Sequence, residues 1–167
     1  SKVKSVEGRL EKIGEIKNNS KVILDYAHSP DALELALTNL REQFPFNNIN
    51  LVFGCGGNRD KKKRSMMGKI AEKYSDQIYL TDDNPRYEEP SLIRKEIKKG
   101  IKKNKVYEIS DRKKAINKAV QDLNTGDILL VAGKGHEKFQ DFGKKKLFFS
   151  DSQVILKSIK LKNKFLS

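Results

Sequence analysis

The chain has 167 residues, of which 37 % are hydrophobic and 34 % charged, with eleven Gly, four Pro and no Trp. This length suits one domain with a single hydrophobic core, and the apolar fraction excludes a disordered chain. No apolar run is long enough to span a membrane. One cysteine excludes a disulfide framework and a cysteine-based zinc site. Residues 1–8 lack the apolar segment of a signal peptide, so we expect a cytoplasmic protein.

The formal net charge is +13, from 35 Lys and Arg against 22 Asp and Glu. Such a charge attracts polyanions, which include nucleic acids and small phosphorylated substrates. Lys, Asn and Ile are all abundant, as in proteins from genomes rich in A and T, so a solvated surface explains the same number. The charge alone therefore identifies no partner.

Short apolar runs alternate with amphipathic stretches along most of the chain. The runs predict five strands, at residues 22–24, 49–53, 78–80, 106–109 and 128–132. The stretches between them predict helices that begin at Pro30, cover residues 66–74 and 90–101, and extend from Ser110 or Asp111 to about residue 123. This alternation predicts an α/β fold, namely a Rossmann-like, mostly parallel sheet with helices on both faces.

The last part of the chain departs from the alternation. Residues 138–143 and 144–150 predict two short strands around a turn at Gly143, which would form a C-terminal β-hairpin. Residues 151–161 predict a final helix.

Polar residues and glycines follow four of the predicted strands directly. Ligands of an open α/β sheet bind outside the carboxyl ends of its strands, so these loops predict a binding site. The loops are residues 25–31, 54–64, 82–86 and 133–137.

Each loop taken alone also has a structural explanation. The glycines of residues 54–57 resemble the start of a dinucleotide-binding motif, but Arg59 occupies the place of its last glycine. Residues 82–85 suit a turn that ends a strand, and residues 133–136 suit a flexible connection. The phosphate-binding loop of nucleoside triphosphatases is absent, and two histidines are too few to predict a metal site.

Taken in order, four strings resemble the Mur ligase family. They are DYAHSPD at residues 25–31, GCGGNRD at 54–60, DDNPR at 82–86 and AGKGHE at 132–137. The resemblance begins at GRLE, residues 8–11, which is similar to the junction between the central and C-terminal domains of the family.

The resemblance implies a domain organisation. Residues 1–14 would be the end of a central domain or a linker, and residues 15–167 a C-terminal domain of the family. The phosphate-binding loop would belong to the central domain, and no catalytic residue is expected in this domain.

The resemblance also implies an activity. In the family, ATP phosphorylates a substrate carboxylate, and the amino group of an incoming amino acid attacks the acyl phosphate. This chain would belong to a ligase of peptidoglycan synthesis that joins meso-diaminopimelate, or an isostere such as lanthionine, to UDP-MurNAc-L-Ala-D-Glu. ATP and Mg²⁺ would be bound mainly by the central domain of the same polypeptide, and neither a nucleic acid nor a membrane is an expected partner.

The family pattern divides the site residues into two sets. The set implied for ATP is Arg9, Asp25, Tyr26 and His28. The set implied for diaminopimelate is Arg59, Asp83, Asn84, Pro85, Arg86, Gly133 and Glu137. Guanidinium groups suit the two carboxylates of such a ligand, and carboxylates suit its ammonium groups.

Two positions bear on specificity. Arg86 after Asp-Asn-Pro is implied to select diaminopimelate against lysine, which has no distal carboxylate. Lys62 stands where the family usually has glycine, which adds a positive charge near the expected site.

Two alternatives remain open at this point. Folylpolyglutamate-type ligases share the domain architecture, although the string at residues 82–86 argues against that substrate. A basic nucleic-acid-binding module would bind with an affinity that falls steeply with salt, and it leaves the four strings unexplained.

Overall fold

The computed structural model describes residues 9–103 and 105–167. The strands of the main sheet are β1 (Glu11–Glu15), β2 (Lys21–Asp25), β3 (Ile49–Phe53), β4 (Gln77–Leu80), β5 (Val106–Glu108) and β6 (Ile128–Ala132). Within the described residues these strands form one sheet in the spatial order β1-β2-β6-β3-β4-β5. Strand β1 pairs antiparallel with β2, and the other neighbours are parallel.

Helices and a hairpin complete the fold. The helices are α1 (Pro30–Gln43), α2 (Lys62–Tyr74), α3 (Pro90–Lys98), α4 (Arg112–Gln121) and α5 (Asp151–Phe165). Strands β7 (Phe139–Asp141) and β8 (Lys146–Phe148) pair antiparallel as a separate hairpin. The predicted α/β fold with a mostly parallel sheet and a C-terminal hairpin is confirmed.

The sheet is covered on both faces because successive side chains of a strand point to opposite sides. On one side, Ile23, Leu51 and Leu130 pack against the apolar faces of α1, α2 and α3. On the other side, Val22 and Val131 and their neighbours pack against α4 and α5. The central strands β3 and β6 are buried along their whole length, which explains why β6 is apolar throughout and β3 has Asn50 as its single polar residue.

Strand β1 lies in the segment, residues 1–14, that the sequence predicts to be the end of a central domain or a linker. In the structure residues 11–14 pair with β2 as part of the main sheet. The strand lies at the edge of the sheet, is only half-buried, and has a register shift between Lys12 and Gly14. An edge strand with charged residues and an irregular register has little apolar alternation, so its sequence resembles that of a linker.

Local capping explains where several helices begin. The side-chain oxygens of Ser29, Asp111 and Ser150 accept hydrogen bonds from backbone N–H groups in the first turns of α1, α4 and α5. Helix α2 begins at Lys62, four residues before the predicted start, although its first turn has no side-chain cap. Among the described residues, no helix has the length and apolar character needed to cross a membrane.

Candidate functional site

The carboxyl ends of β2, β3, β4 and β6 open into a cleft of about 430 Å³, here called the first cleft. The loops after these strands form its walls, as expected for an open α/β sheet. The predicted residues that line it are Tyr26, His28, Arg59, Asp83, Asn84, Arg86, Gly133 and Glu137.

Asp83 and Gly133 form the floor of the first cleft. Asp83 is 6 % exposed, and its Oδ2 atom has no hydrogen-bond partner among the described residues. Burial raises the pKa of the Asp83 carboxyl. Gly133 has a φ of +115°, and a Cβ there would lie 2.5 Å from Asp83 Oδ2. The glycine therefore keeps the approach to an unsatisfied carboxylate oxygen open, which is suited to a cationic ligand group.

Glu137 is the second acidic group of the first cleft. Its Oε2 accepts a hydrogen bond of 2.8 Å from the Tyr26 hydroxyl, and its Oε1 accepts from Asn84 Nδ2 at 3.3 Å. The buried Lys134 ammonium lies 3.1 Å from the same Oε1. Burial raises the pKa of Glu137, but these hydrogen bonds and the charge of Lys134 outweigh it and leave the pKa lowered. Glu137 is therefore ionised at neutral pH.

Arg86 lies on the basic side of the first cleft. Its Nη1 donates to the carbonyl oxygens of Gly57 and Asn84 at 2.9 and 3.4 Å, and its Nε lies 3.9 Å from Asp141 Oδ2. The Arg86 backbone has a φ of +55°, in the left-handed region that non-glycine residues rarely adopt. The strained turn and the two carbonyls hold the guanidinium at the cleft, with further N–H groups able to bind a carboxylate.

The glycine loop after β3 is held against the loop after β4. The buried Arg64 donates to Gly56 O at 3.0 Å and to Glu88 at 2.7 Å, and it also lines the cleft. Gly57 N–H donates to Asn84 O at 2.8 Å. A Cβ on Gly57 would lie 1.7 Å from the carbonyl oxygen of Pro85, so only glycine permits this approach.

A second cleft of about 400 Å³ lies beside the first, between the end of β2 and helix α1. Its lining includes the complete set predicted for ATP, which is Arg9, Asp25, Tyr26 and His28. Tyr26 and His28 line both clefts, and their rings pack edge to face at 5.4 Å. The two Asp25 oxygens accept from the backbone N–H groups of Leu10 and Ala27, so this carboxylate organises the loop.

The structure therefore groups the predicted residues into two adjoining clefts. Pro85 lines neither cleft and instead packs its carbonyl against the glycine loop. Lys62 is exposed at the start of α2 and does not line the first cleft, whereas its neighbour Lys63 does. Among the described residues, no group of three or more His, Cys, Asp or Glu side chains is placed to hold a metal ion.

The residue sets implied by the resemblance omit Lys63 and Arg64, which line the first cleft, and the buried Lys134, which contacts Glu137. All three lie in the loops of residues 54–64 and 133–137, so their positions after the strands were a usable signal. The burial of Arg64 had no such signal, since it results from contacts with distant Glu88 and Glu96.

The thiol of Cys55 is expected to be unreactive, although it lines the first cleft. Burial raises its pKa to about 12, and its sulfur packs 3.5 Å from the sulfur of Met67. Thiolate is the reactive form, so alkylation of the folded chain by iodoacetamide at pH 8 should be roughly a thousandfold slower than in guanidinium chloride. Equal rates in the two states would contradict this prediction.

An open, mostly parallel α/β sheet with two adjoining clefts at the carboxyl ends of its strands is the architecture of domains in which small molecules bind at those strand ends. The sequence matches the family described as Mur ligase, glutamate ligase domain, over residues 8–135. The chain therefore belongs to this family, and the resemblance noted in the sequence is confirmed.

Two relatives with curated names share a single ligase name. The chain is 53 % identical over 160 residues to UDP-N-acetylmuramoyl-L-alanyl-D-glutamate--2,6-diaminopimelate ligase of Rickettsia rickettsii, which covers 95 % of this chain and 33 % of the relative. It is 49 % identical over 162 residues to the ligase of the same name from Buchnera aphidicola subsp. Baizongia pistaciae (strain Bp), with 96 % and 32 % covered.

A solved structure of a ligase with this name is similar to this chain. It superposes with a TM-score of 0.86 at 34 % identity, over 96 % of this chain and 33 % of that chain. The chain thus spans about a third of the length of the proteins that it matches.

Proposed function

We propose that this chain is the amino-acid-binding domain of an ATP-dependent ligase that adds meso-diaminopimelate, or an isostere such as lanthionine, to UDP-MurNAc-L-Ala-D-Glu. The observation that supports this most is the distribution of charge in the first cleft. Arg59 and Arg86 line it together with Asp83 and Glu137, so both signs face one small volume.

This arrangement suits a ligand with an amino-acid centre at each end. Each end offers a carboxylate for a guanidinium and an ammonium for a carboxylate. The unpartnered Asp83 Oδ2 and the ionised Glu137 are two acceptors for ammonium groups. Arg86 is fixed by its contacts with Gly57 and Asn84 and is the proposed partner of the distal carboxylate.

ATP is the proposed ligand of the second cleft. Arg9 would approach the phosphates, while Tyr26 and His28 would lie near the nucleoside, between the two substrates. We propose that Mg²⁺ is held with the nucleotide by the central domain of the same polypeptide, since the described residues offer no metal-ligating cluster. Because the two substrates would be bound by different domains, the reaction needs domain closure, and this chain alone has no ligase activity. The proposed location of the full polypeptide is the cytoplasm.

The proposal is tested by amide formation in the full-length polypeptide with diaminopimelate, lanthionine or lysine at equal concentration. Lanthionine keeps both amino-acid ends and should be used nearly as well as diaminopimelate. Lysine leaves the half-buried Arg86 guanidinium without a ligand carboxylate, so kcat/KM should be about a thousandfold lower.

Each other outcome has a distinct meaning. Efficient use of lysine would remove the proposed role of Arg86 while keeping the ligase class. Failure with both diaminopimelate and lanthionine would refute the assignment of the first cleft. Glutamylation of a folate would identify the folylpolyglutamate alternative, and amide formation by the 167-residue chain alone would refute the division of labour between domains.

A further inference from the structure

Lys134 is a buried lysine that contacts two residues lining the first cleft, Asn84 and Glu137. Its side chain is 0 % exposed. The ammonium donates to Asn84 Oδ1 at 2.8 Å, Glu137 Oε1 at 3.1 Å and the Phe139 carbonyl oxygen at 2.7 Å. An ammonium group has three donors, so these contacts use all of them and leave none for a ligand.

The contacts of Lys134 determine how Asn84 and Glu137 face the cleft. Asn84 Oδ1 accepts from both Lys134 Nζ and the backbone N–H of Asp141, which directs the amide nitrogen toward Glu137. Glu137 Oε1 then receives Lys134 and Asn84. Oε1 of Glu137 is thus occupied by groups inside the protein, whereas Oε2 accepts, among the residues that the structure describes, only from the exposed Tyr26 hydroxyl.

The backbone around Lys134 produces this inward direction. Gly133 and Gly135 have φ values of +115° and +53°, and both conformations favour glycine. The chain therefore turns on each side of Lys134, so that its side chain is buried while Gly133 and Glu137 line the cleft.

We infer that Lys134 is a positioning residue for recognition of the ligand's ammonium group, which acts through Glu137 and Asn84 without touching the ligand. This inference rests on the proposed function of the first cleft. A neutral side chain at this position would leave Glu137 Oε1 with a single donor and free the Asn84 amide to rotate.

The pKa of Glu137 is the quantity through which the role of Lys134 can be measured. The groups that face Glu137 are the Tyr26 hydroxyl after β2, the Asn84 amide after β4 and Lys134 on its own loop. Asp83 and the buried Arg112 act on it through space. Of the described residues, Lys134 is the cation that contacts Glu137 directly, and it lowers the pKa of Glu137 both by its hydrogen bond and by its charge.

Removal of the Lys134 charge should therefore raise the pKa of Glu137. The carboxylate would take up a proton at higher pH and lose its ability to bind an ammonium group. In Lys134→Met, the acid limb of the pH profile of kcat/KM for diaminopimelate should move up by about one pH unit. The diaminopimelate KM should rise at least about tenfold, with the ATP KM changed by less than about twofold.

Lys162 provides a matched control. Its ammonium is also buried and donates to the backbone oxygens of Gln121 and Leu123, at the C-terminal end of α4 and outside both clefts. Lys162→Met should lower stability without changing either KM or the acid limb. Equal increases of both KM values in Lys134→Met, or an unmoved acid limb, would show that Lys134 has only a structural role.

Two further variants keep the test decisive. Lys134→Arg retains the charge and should leave the acid limb in place, even where Lys134→Met folds poorly; an acid limb that moves in Lys134→Arg overturns the inference. In a Glu137→Gln background, Lys134→Met should raise the diaminopimelate KM by clearly less than the roughly tenfold expected in the wild-type background, because there is no carboxylate left to keep ionised and only the contact with Asn84 is lost; a full rise of about tenfold there would overturn the inference. A wild-type polypeptide that does not use diaminopimelate would refute the proposed function itself, which is a separate result.

Discussion

Replacement of Asp151 by alanine is expected to lower the free energy of unfolding by about 3–5 kcal/mol. Asp151 and Arg112 are both completely buried, and the two carboxylate oxygens lie 2.8 Å from Arg112 Nε and Nη2. The substitution leaves the guanidinium inside the protein without its counter-charge, a loss that urea unfolding of the purified chain measures directly.

Two comparisons distinguish the effect of an unpaired buried charge from the loss of the hydrogen bonds between Arg112 and Asp151. The exposed pair of Lys12 and Glu15 serves as the control, because Lys12→Ala should leave the urea midpoint nearly unchanged. Arg112→Met combined with Asp151→Leu should be less destabilised than Asp151→Ala alone, since no unpaired charge remains. A midpoint for Asp151→Ala equal to that of Lys12→Ala would contradict the prediction.

The same ion pair supports the first cleft. Arg112 also donates to the carbonyl oxygens of Asp82 and Ala132, at 3.3 and 3.1 Å, directly before Asp83 and Gly133. A variant that folds without this guanidinium in place should therefore bind the amino acid more weakly. Stability and recognition are linked here because one buried side chain holds the ends of two parallel strands.

Arg86→Ala in the full-length polypeptide is expected to lower kcat/KM for diaminopimelate by roughly 30- to 1,000-fold, which corresponds to about 2–4 kcal/mol. The guanidinium lines the first cleft and not the second, so the ATP KM should change far less. Steady-state kinetics with each substrate varied in turn test this difference.

The backbone at this position supplies a control. Because Arg86 has a φ of +55°, Arg86→Gly removes the same side chain while it relieves the strain of the left-handed conformation. Loss of a ligand contact predicts similar kinetics for the glycine and alanine variants. A much milder effect of glycine, or equal changes in both KM values, would show that Arg86 mainly shapes the loop through Gly57 and Asn84.

The order of elements from β2 onward and the location of the candidate site could be predicted from the sequence, because both depend on local patterns. The runs that become β3 and β6 are buried on both faces, so their sequences are apolar except for Asn50 in β3. In a parallel sheet these strands end at the same edge, so the polar loops that follow them meet there whatever the exact packing. Boundaries were less accurate: α3 ends at Lys98, three residues before the predicted end.

The assignment of the loop residues to particular substrates had another source. The assignment came from the resemblance of four strings to a known family. Charge and spacing alone explained the same loop sequences equally well as turns or flexible connections. The match over residues 8–135 confirms the family. The individual substrate contacts remain proposals.

Tertiary structure decided the features that depend on residues far apart in the chain. Strand β1 joins the sheet by pairing with β2, although its own sequence shows little alternation. Lys134 becomes buried because Asn84, 50 residues away, accepts its hydrogen bond, and Asp151 because Arg112 lies 39 residues away. A charged side chain is stable inside a protein only where its partners are already in place. Local sequence therefore determined which residues reach the edge of the sheet, and only the packing of distant segments determined which of them line the clefts.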